Sequence, residues 1–456
     1  MSQRIDTLVI LGAGGDLAAR LLLPGLASFL ATHQGDDLTV IGVDRDARTD
    51  AEWRAIVLGA FQTEPSPAAD AVLASTRYIQ GDATSAADLQ AVLAAAPGRI
   101  ALYFALPPAV AIAACTALST LTLPKGIIFG LEKPFGRDLK SAQELNRLLE
   151  KTLPEEQIFR VDHFLGKSTV LNLLGLRFAN RIFEPLLSAP NVEKVEIRFD
   201  ESLALEGRAG YYDKAGALID MIQSHMLLVL ALVTMEPPAS VDADDLRGGM
   251  AQLLRATRPW KKNGTSSRRA RYTEGTISGR SIPAYVDEKG VDADLGTETL
   301  AEVTLAIDNW RWAGVPFTLR SGKALGESTQ EILITFREVP HLPTGLKGAA
   351  GPATLRLSLK PAALALDLVI NGEDDPFVLD RAVLQTSLRD GHMSAYGEVL
   401  AGLLESDPTL SVRGDVAEEC WRIVGSVLAA WRNGDVPLES YPAGSDGPWS
   451  NEPARR

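Results

Sequence analysis

Four stretches of this chain have residue types and spacings that chemistry could use. The first is Gly12-Ala13-Gly14-Gly15-Asp16-Leu17-Ala18, which follows the β-rich apolar run Thr7–Leu11. Glycines there let a backbone turn tightly against a pyrophosphate, and a helix beginning at Asp16 would offer unpaired N–H groups and a positive dipole end. The spacing is G-x-x-G-x-x-A with Gly14 as an extra glycine, so a purely structural strand–helix turn is the competing reading. The second stretch is Val43-Asp44-Arg45-Asp46. An acid at the end of the second strand bonds the ribose 2′-hydroxyl and repels a 2′-phosphate, whereas a nearby Arg favours the phosphate. Both are present, and residues 44–46 carry a formal charge of −1. The third is the small set of five histidines (His33, His163, His225, His341 and His392), the natural proton acceptors near neutral pH. Periodicity alone reads His225 as a core histidine of the apolar helix Ala217–Thr234. The fourth is the basic run from Lys261 to Arg269, either a polyanion contact or an exposed, solvated loop. The Gly and Ser in it favour the loop.

The elements around these residues change character along the chain. Thr7–Leu11, Leu38–Val43, Ile100–Ala105 and Gly126–Leu131 read as buried strands, with helical patterns at Asp16–Leu30 and Ala51–Ala60. Such alternation predicts a parallel sheet covered on both faces. Beyond about residue 185, Val195–Phe199, Ala301–Ile307 and Thr354–Leu359 alternate with period two, and Ile332–Phe336 is another strand. That pattern predicts an antiparallel sheet with one wetter face. Helices are expected at Ala217–Thr234, Ala395–Leu404 and Val416–Trp431. Asp220 lies five residues before His225, more than one α-helical turn, so the two are not expected on the same face. The polar tail Gly444–Arg456 is expected to be loosely held.

Composition sets outer limits. The chain has 456 residues and a net charge of −13, with 46% apolar and 23% charged residues. This excludes a mainly disordered or fibrous protein and suits two domains. The acidity argues against general nucleic-acid binding or attachment to an anionic membrane. Cys115 and Cys420 imply neither a disulfide framework nor a CxxC metal site, and no ligand cluster with zinc spacing is visible. No uncharged apolar run reaches the ~18 residues of a membrane span, and residues 1–6 do not read as a signal peptide. A cytoplasmic location is expected.

Further blocks follow the glycine turn in a fixed order. They are Glu132-Lys133-Pro134-Phe135-Gly136, then Arg160-Val161-Asp162-His163-Phe164-Leu165-Gly166-Lys167, then Asp220-Met221-Ile222-Gln223-Ser224-His225. Asn309–Phe317, Arg320-Ser321-Gly322-Lys323 and Tyr441–Ser445 complete the series. With these blocks the chain resembles the glucose-6-phosphate dehydrogenase family over essentially its whole length. The resemblance implies an α/β, Rossmann-like dinucleotide-binding domain over residues 1–165. It implies an α+β substrate and dimerisation domain over 166–456, built on a large, mainly antiparallel sheet. The implied reaction oxidises glucose 6-phosphate at C1 to 6-phosphogluconolactone with hydride transfer to NAD or NADP, the first step of the oxidative pentose phosphate pathway. A related enzyme acting on another hexose phosphate or a free hexose is the alternative, as is a non-catalytic paralogue.

The resemblance also assigns roles. His225 matches the catalytic base and Asp162 its orienting carboxylate, while His163 and Lys167 match phosphate contacts. Glu201 and Asp220 match carboxylates that bond sugar hydroxyls. Lys133 matches a lysine between substrate and cofactor, aimed by a cis Pro134, and Lys323 is a further substrate-side lysine. The cofactor would meet Gly12, Gly14, Gly15, Asp16, Leu17, Asp44, Arg45 and Lys133. No metal is implied, and family members form homodimers or homotetramers. Four positions depart from the common pattern. Phe164 stands where Tyr is usual, Ser224 where Asn is, Gly14 where Ser or Thr is, and Asp44 where a small neutral residue is. The last two lead to an expectation of good NAD use, with NADP possible.

Overall fold

The computed structural model describes residues 4–33, 38–348, 351–389 and 391–449. Contacts divide the chain into two units. The first comprises Met1–Leu171, Pro237–Ala251 and Gly391–Glu419; the second comprises Asn172–Glu236, Gln252–Asp390 and Cys420–Arg456.

In the first unit the apolar runs make the parallel sheet that the pattern predicts. Its strands are β1 (Thr7–Leu11), β2 (Thr39–Asp44), β3 (Arg77–Gln80), β4 (Ile100–Phe104), β5 (Ile128–Glu132) and β6 (Ile158–Val161). They lie in the order β3-β2-β1-β4-β5-β6 with every pairing parallel. All residues of β1 and β4 are buried, as central strands with both faces covered must be. Helices pack on the sheet through a core that includes Phe29, Trp53, Tyr103 and Leu400. The one polar atom of the Trp53 ring is satisfied, because Nε1 donates to Thr76 Oγ1 at 2.8 Å. The helix after β1 runs to Thr32, two residues beyond expectation, and opens with a wide π-helical turn at Ala18–Leu22. Pro24 sits in the first turn of the α-helical part. A proline ring crowds the carbonyl four residues back, and a widened turn relieves that contact.

The second unit holds a ten-stranded sheet. Its strands are β7 (Val192–Asp200), β8 (Thr257–Pro259), β9 (Ser267–Thr273), β12 (Leu300–Ile307), β13 (Phe317–Gly322), β14 (Thr329–Phe336), β15 (Thr354–Lys360), β16 (Ala362–Asn371), β17 (Leu379–Ser387) and β18 (Leu438–Pro442). Strands β10 (Gly275–Ile277) and β11 (Arg280–Ile282) form a separate hairpin. The order is β17-β16-β15-β14-β7-β13-β12-β9-β18, with β8 also on β12. Pairing is antiparallel except for β7 with β13 and β9 with β18. The sheet is therefore mixed but mainly antiparallel.

Two expectations are corrected here. Only Lys261–Asn263 of the basic run are exposed; Ser267 begins β9, and Ser266–Arg268 are buried. Arg268 stands opposite Glu302 on β12, with Nε 3.7 Å from Oε1. Arg269 donates to the carbonyls of Val436 (3.1 Å) and Trp431 (3.0 Å). The two arginines are taken up inside the sheet by cross-strand and carbonyl partners, while Lys261 and Lys262 stay exposed. The tail is also held as far as Trp449. Gly444 N donates to Ala324 O at 2.8 Å, and Arg320 donates to Asp446 O at 2.7 Å. The rest of the tail lies outside the described residues.

Among the described residues one helical stretch, Ala209–Thr234, is by length and composition apolar enough to cross a membrane. It is 83% buried over its most apolar window, and every residue of Leu227–Thr234 is buried, so it serves as the central helix of the second unit.

Candidate active site

Parallel pairing puts the carboxyl ends of β1, β2, β5 and β6 along one edge of the first unit's sheet. The glycine turn follows β1, Asp44 ends β2, Lys133 follows β5, and Asp162 and His163 follow β6. Ligands of open α/β sheets bind at this edge. The fold therefore gathers Gly12–Leu17, Asp44, Arg45, Lys133, Asp162, His163 and Lys167 to one end of the first unit.

The glycine turn is locked to β2. Gly12 N and Ala13 N donate to Val43 O at 2.8 and 3.1 Å, and Gly15 N donates to Gly12 O at 3.0 Å. Gly12 has φ +84°, and a Cβ there would lie 2.3 Å from Ala105 O. Both observations demand glycine at that position. Asp44 clasps the turn, with Oδ2 accepting from Gly14 N at 2.9 Å and Oδ1 from Arg45 N at 2.7 Å. A cavity of about 230 Å³ opens beside Gly12, Gly15, Asp44, Arg45, Asp82 and Leu106. Close backbone approach, free space and an acid at the end of β2 together fit the ribose and pyrophosphate of a dinucleotide. Asp16 and Leu17 begin the helix, and exposed Asp16 lies 3.8 Å from Arg20, a pair of little energetic weight.

The octet ends β6 with Arg160 and Val161 and then makes a tight turn into helix Ser168–Phe178. Asp162 is fully buried, and its Oδ1 accepts from Phe164 N at 3.0 Å. The His163 ring stacks on Tyr396, with centroids 5.5 Å apart, and meets Phe164 edge-on at 5.2 Å. Lys167 Nζ stands 3.5 Å from the Phe164 ring centroid. Phe164 thus seats the ammonium by cation–π attraction. His163 and Lys167 both border the Phe164 ring and offer donors suited to a phosphate dianion. Behind Lys133 lies Glu132, whose pKa burial raises to about 7 against the opposing influence of the Tyr103 and Tyr396 hydroxyls. Tyr103 donates to Glu132 Oε1 at 2.5 Å. The Lys133–Pro134 peptide is cis, as the resemblance implied.

The second unit holds the remaining residues. Strands β7 and β13 run parallel with Asp200 opposite Gly322, so Glu201 and Lys323, the next residues, emerge side by side. Lys323 Nζ meets Glu201 Oε2 at 2.5 Å and stands 5.1 Å from the Tyr212 ring. Burial first, and then the charge of Asp220, raise the Tyr211 and Tyr212 phenols.

His225 is 2% exposed. It shares with Asp220 a π-helical stretch, Leu218–Met226. This corrects the expected helix geometry. At 3.6 residues per turn, positions five apart lie about 140° apart around the axis. In a π-helix the i→i+5 bond widens the turn and reduces that angle to roughly 50°. Asp220 and His225 thus face nearly the same way. The stretch starts from a kink at Gly216 (φ +65°), and buried Glu298 caps it by accepting from Leu218 N at 3.0 Å.

Comparison with known proteins gives the family. The family model "Glucose-6-phosphate dehydrogenase, NAD binding domain" matches residues 9–172, and "Glucose-6-phosphate dehydrogenase, C-terminal domain" matches residues 174–454. The chain belongs to the glucose-6-phosphate dehydrogenase family. Among curated relatives, the glucose-6-phosphate 1-dehydrogenase of Treponema pallidum is 36% identical, over 97% of this chain and 92% of the relative. That of Gluconobacter oxydans is 37% identical, over 96% and 94%. Among solved structures, a glucose-6-phosphate dehydrogenase in complex with its substrate glucose-6-phosphate superposes with a TM-score of 0.87 at 28% identity, covering 99% of this chain and 97% of the other. The Mycobacterium avium glucose-6-phosphate 1-dehydrogenase gives 0.85 at 32% identity, covering 98% and 95%.

Several neighbours of the glucose-6-phosphate dehydrogenase motifs escaped the sequence reading. Tyr396 comes from a helix more than 200 residues from the His163 it stacks on, and no local pattern announces such a contact. Glu298 likewise reaches the helix from a loop. Arg48 was more accessible to inference. It lies three residues past Arg45, and its Nη2 is 3.0 Å from where a Cβ on Gly14 would sit. A charge count extended past residue 46 would have included it.

Proposed function

We propose that this chain is an oxidoreductase that oxidises glucose 6-phosphate at C1 to 6-phosphogluconolactone with NAD or NADP. The observation that carries the reading is the common edge of the first unit, where the glycine turn, Asp44, Lys133, Asp162, His163 and Lys167 meet. Similarity to a structure titled as a glucose-6-phosphate complex supports the choice of sugar phosphate.

In this reading His225 accepts the proton of the C1 hydroxyl. Asp162 is assigned to hold the imidazole in the right tautomer and to stabilise the imidazolium that forms. The nicotinamide ring, when bound, accepts the hydride that leaves C1. His163 and Lys167 hold the phosphate and so keep C1 in register with the base. Glu201 and Asp220 accept hydrogen bonds from sugar hydroxyls, and Lys323, held by Glu201, donates from the same place. Lys133 serves substrate and cofactor together. The cofactor part is taken as residues 1–165 and the substrate part as 166–456.

Gly12, Gly14, Gly15, Asp16 and Leu17 receive the pyrophosphate, while Asp44 and Arg45 receive the ribose. Asp44 is pinned by two backbone N–H groups and cannot swing away cheaply, which favours NAD; Arg45 leaves NADP open. A cytoplasmic homodimer or homotetramer belongs to the same reading. Exposed Ile370, Val383 and Leu384 on β16 and β17 support association through the large sheet. Replacing His225 by Asn tests the mechanism. Turnover should fall roughly 10²–10⁴-fold while glucose 6-phosphate affinity holds. Unchanged turnover would remove His225 from the reaction.

A further inference from the structure

The end of β2 carries more positive charge than Arg45 alone. Arg48 is half-buried, and its Nη2 lies 3.0 Å from the position of a Cβ on Gly14, as does Asp44 Oδ2. The guanidinium nitrogen and the carboxylate oxygen are therefore within twice that distance of each other beside the glycine. The missing side chain at residue 14 is what leaves room for both.

The backbone that carries Arg48 is held by its neighbour. The next residue, Thr49, caps helix Asp50–Phe61 in a reciprocal capping box, with Thr49 N donating to Glu52 Oε2 at 2.7 Å and Glu52 N to Thr49 Oγ1 at 3.2 Å. Behind the guanidinium stands the Tyr78 phenol, which donates to Asp46 O at 2.5 Å. Arg48 counters the upward pull of burial, Asp44 and Asp46 on that phenol. Among the described residues neither Arg45 nor Arg48 is committed to a short ion pair. Over Asp44, Arg45, Asp46 and Arg48 the formal charges cancel.

We propose that Arg48 is a specificity-determining residue of the adenosine-ribose pocket. Together with Arg45 it offsets Asp44, so the site accepts a 2′-phosphorylated nucleotide as well as an unphosphorylated one. The inference rests on the dinucleotide reading of the glycine turn. An acid at the end of β2 marks the 2′ position. A phosphate placed there would meet Asp44 on one side, with Arg45 and Arg48 as its two counter-cations. Two donors of this kind suit a dianion, and each charge-assisted bond is worth roughly tenfold or more in affinity.

The test is calorimetric binding of two probes, adenosine 2′,5′-bisphosphate and 5′-AMP, to the whole protein and to its Arg48→Gln and Arg48→Lys variants. The expected result is that Arg48→Gln weakens the bisphosphate roughly tenfold or more and 5′-AMP less than about threefold, with Arg48→Lys in between. The ratio of kcat/KM for NADP over NAD should fall in parallel. Equal weakening of both probes would make Arg48 a structural residue and overturn the proposal. Unchanged bisphosphate affinity in Arg48→Gln would overturn it too. If the unaltered protein binds neither probe, the dinucleotide reading fails, and this inference fails with it.

Discussion

Buried Glu298 offers a quantitative test of how the π-helical stretch Leu218–Met226 is anchored. Its Oε1 accepts from Leu218 N at 3.0 Å at the start of the π-helical stretch that carries Asp220 and His225. Burial raises its pKa from 4.5 to about 7, against the smaller opposing effects of that amide and of Arg269. Between those two values the folded chain holds a proton that the unfolded chain has released. Stability must therefore fall as pH rises through this window and level off above it. At about 1.4 kcal/mol per unit, the displacement amounts to about 3 kcal/mol of stability lost between pH 4.5 and pH 7. Glu298→Gln keeps an acceptor of the same shape for Leu218 N but removes the ionisation. Urea unfolding followed from pH 4.5 to pH 8 should give a flatter profile for the variant. The variant should also be the more stable protein at pH 8, by up to about 3 kcal/mol. Parallel profiles, or a variant less stable than the parent at pH 8, would refute the argument that the carboxylate is strained by burial there.

Three further substitutions probe separate parts of the account. Gly216→Ala places a Cβ 2.3 Å from Glu298 Oε1 at φ +65°, so it should lower stability by about 1–3 kcal/mol and reduce turnover by moving the following turn; calorimetry and kcat measure the two effects. Phe164→Tyr adds a hydroxyl to the ring that seats Lys167, and KM for glucose 6-phosphate should drop roughly tenfold with kcat little changed. Asp44→Ala removes the acceptor of Gly14 N and Arg45 N together with the negative charge, so kcat/KM for NADP should rise relative to NAD.

What could be foreseen from sequence follows from the range of the interactions involved. The buried strands β1, β2, β4 and β5 announce themselves because their apolar runs are local and continuous. Period-two alternation marks β7, β12 and β15 in the same way, and a short apolar run marks β14. The short strands β3 and β6 carry polar residues such as Arg77 and Arg160, and their place in the sheet comes from neighbours distant in sequence. Arg160 is fully buried, and its backbone N donates to Ser411 Oγ at 3.0 Å, a partner 251 residues away that no local pattern predicts. The basic run at 261–269 misled for the same reason, since Glu302 and the Trp431 carbonyl that absorb its charge arrive from far along the chain. Among site residues, the motif-borne ones were nameable but their supports were not. Lys323 was legible, whereas its 2.5 Å contact with Glu201 required the parallel pairing of β7 with β13. How nearly Asp220 and His225 face the same way was not foreseen, because a periodicity argument assumes the α-helical turn and this helix departs from it over Leu218–Met226.

The most direct measurement is the growth of reduced-nicotinamide absorbance with purified protein and glucose 6-phosphate, in parallel with NAD and with NADP. The account predicts turnover with both cofactors and no preference for NADP beyond about a hundredfold, or about 2.7 kcal/mol. Silence with both cofactors would contradict it.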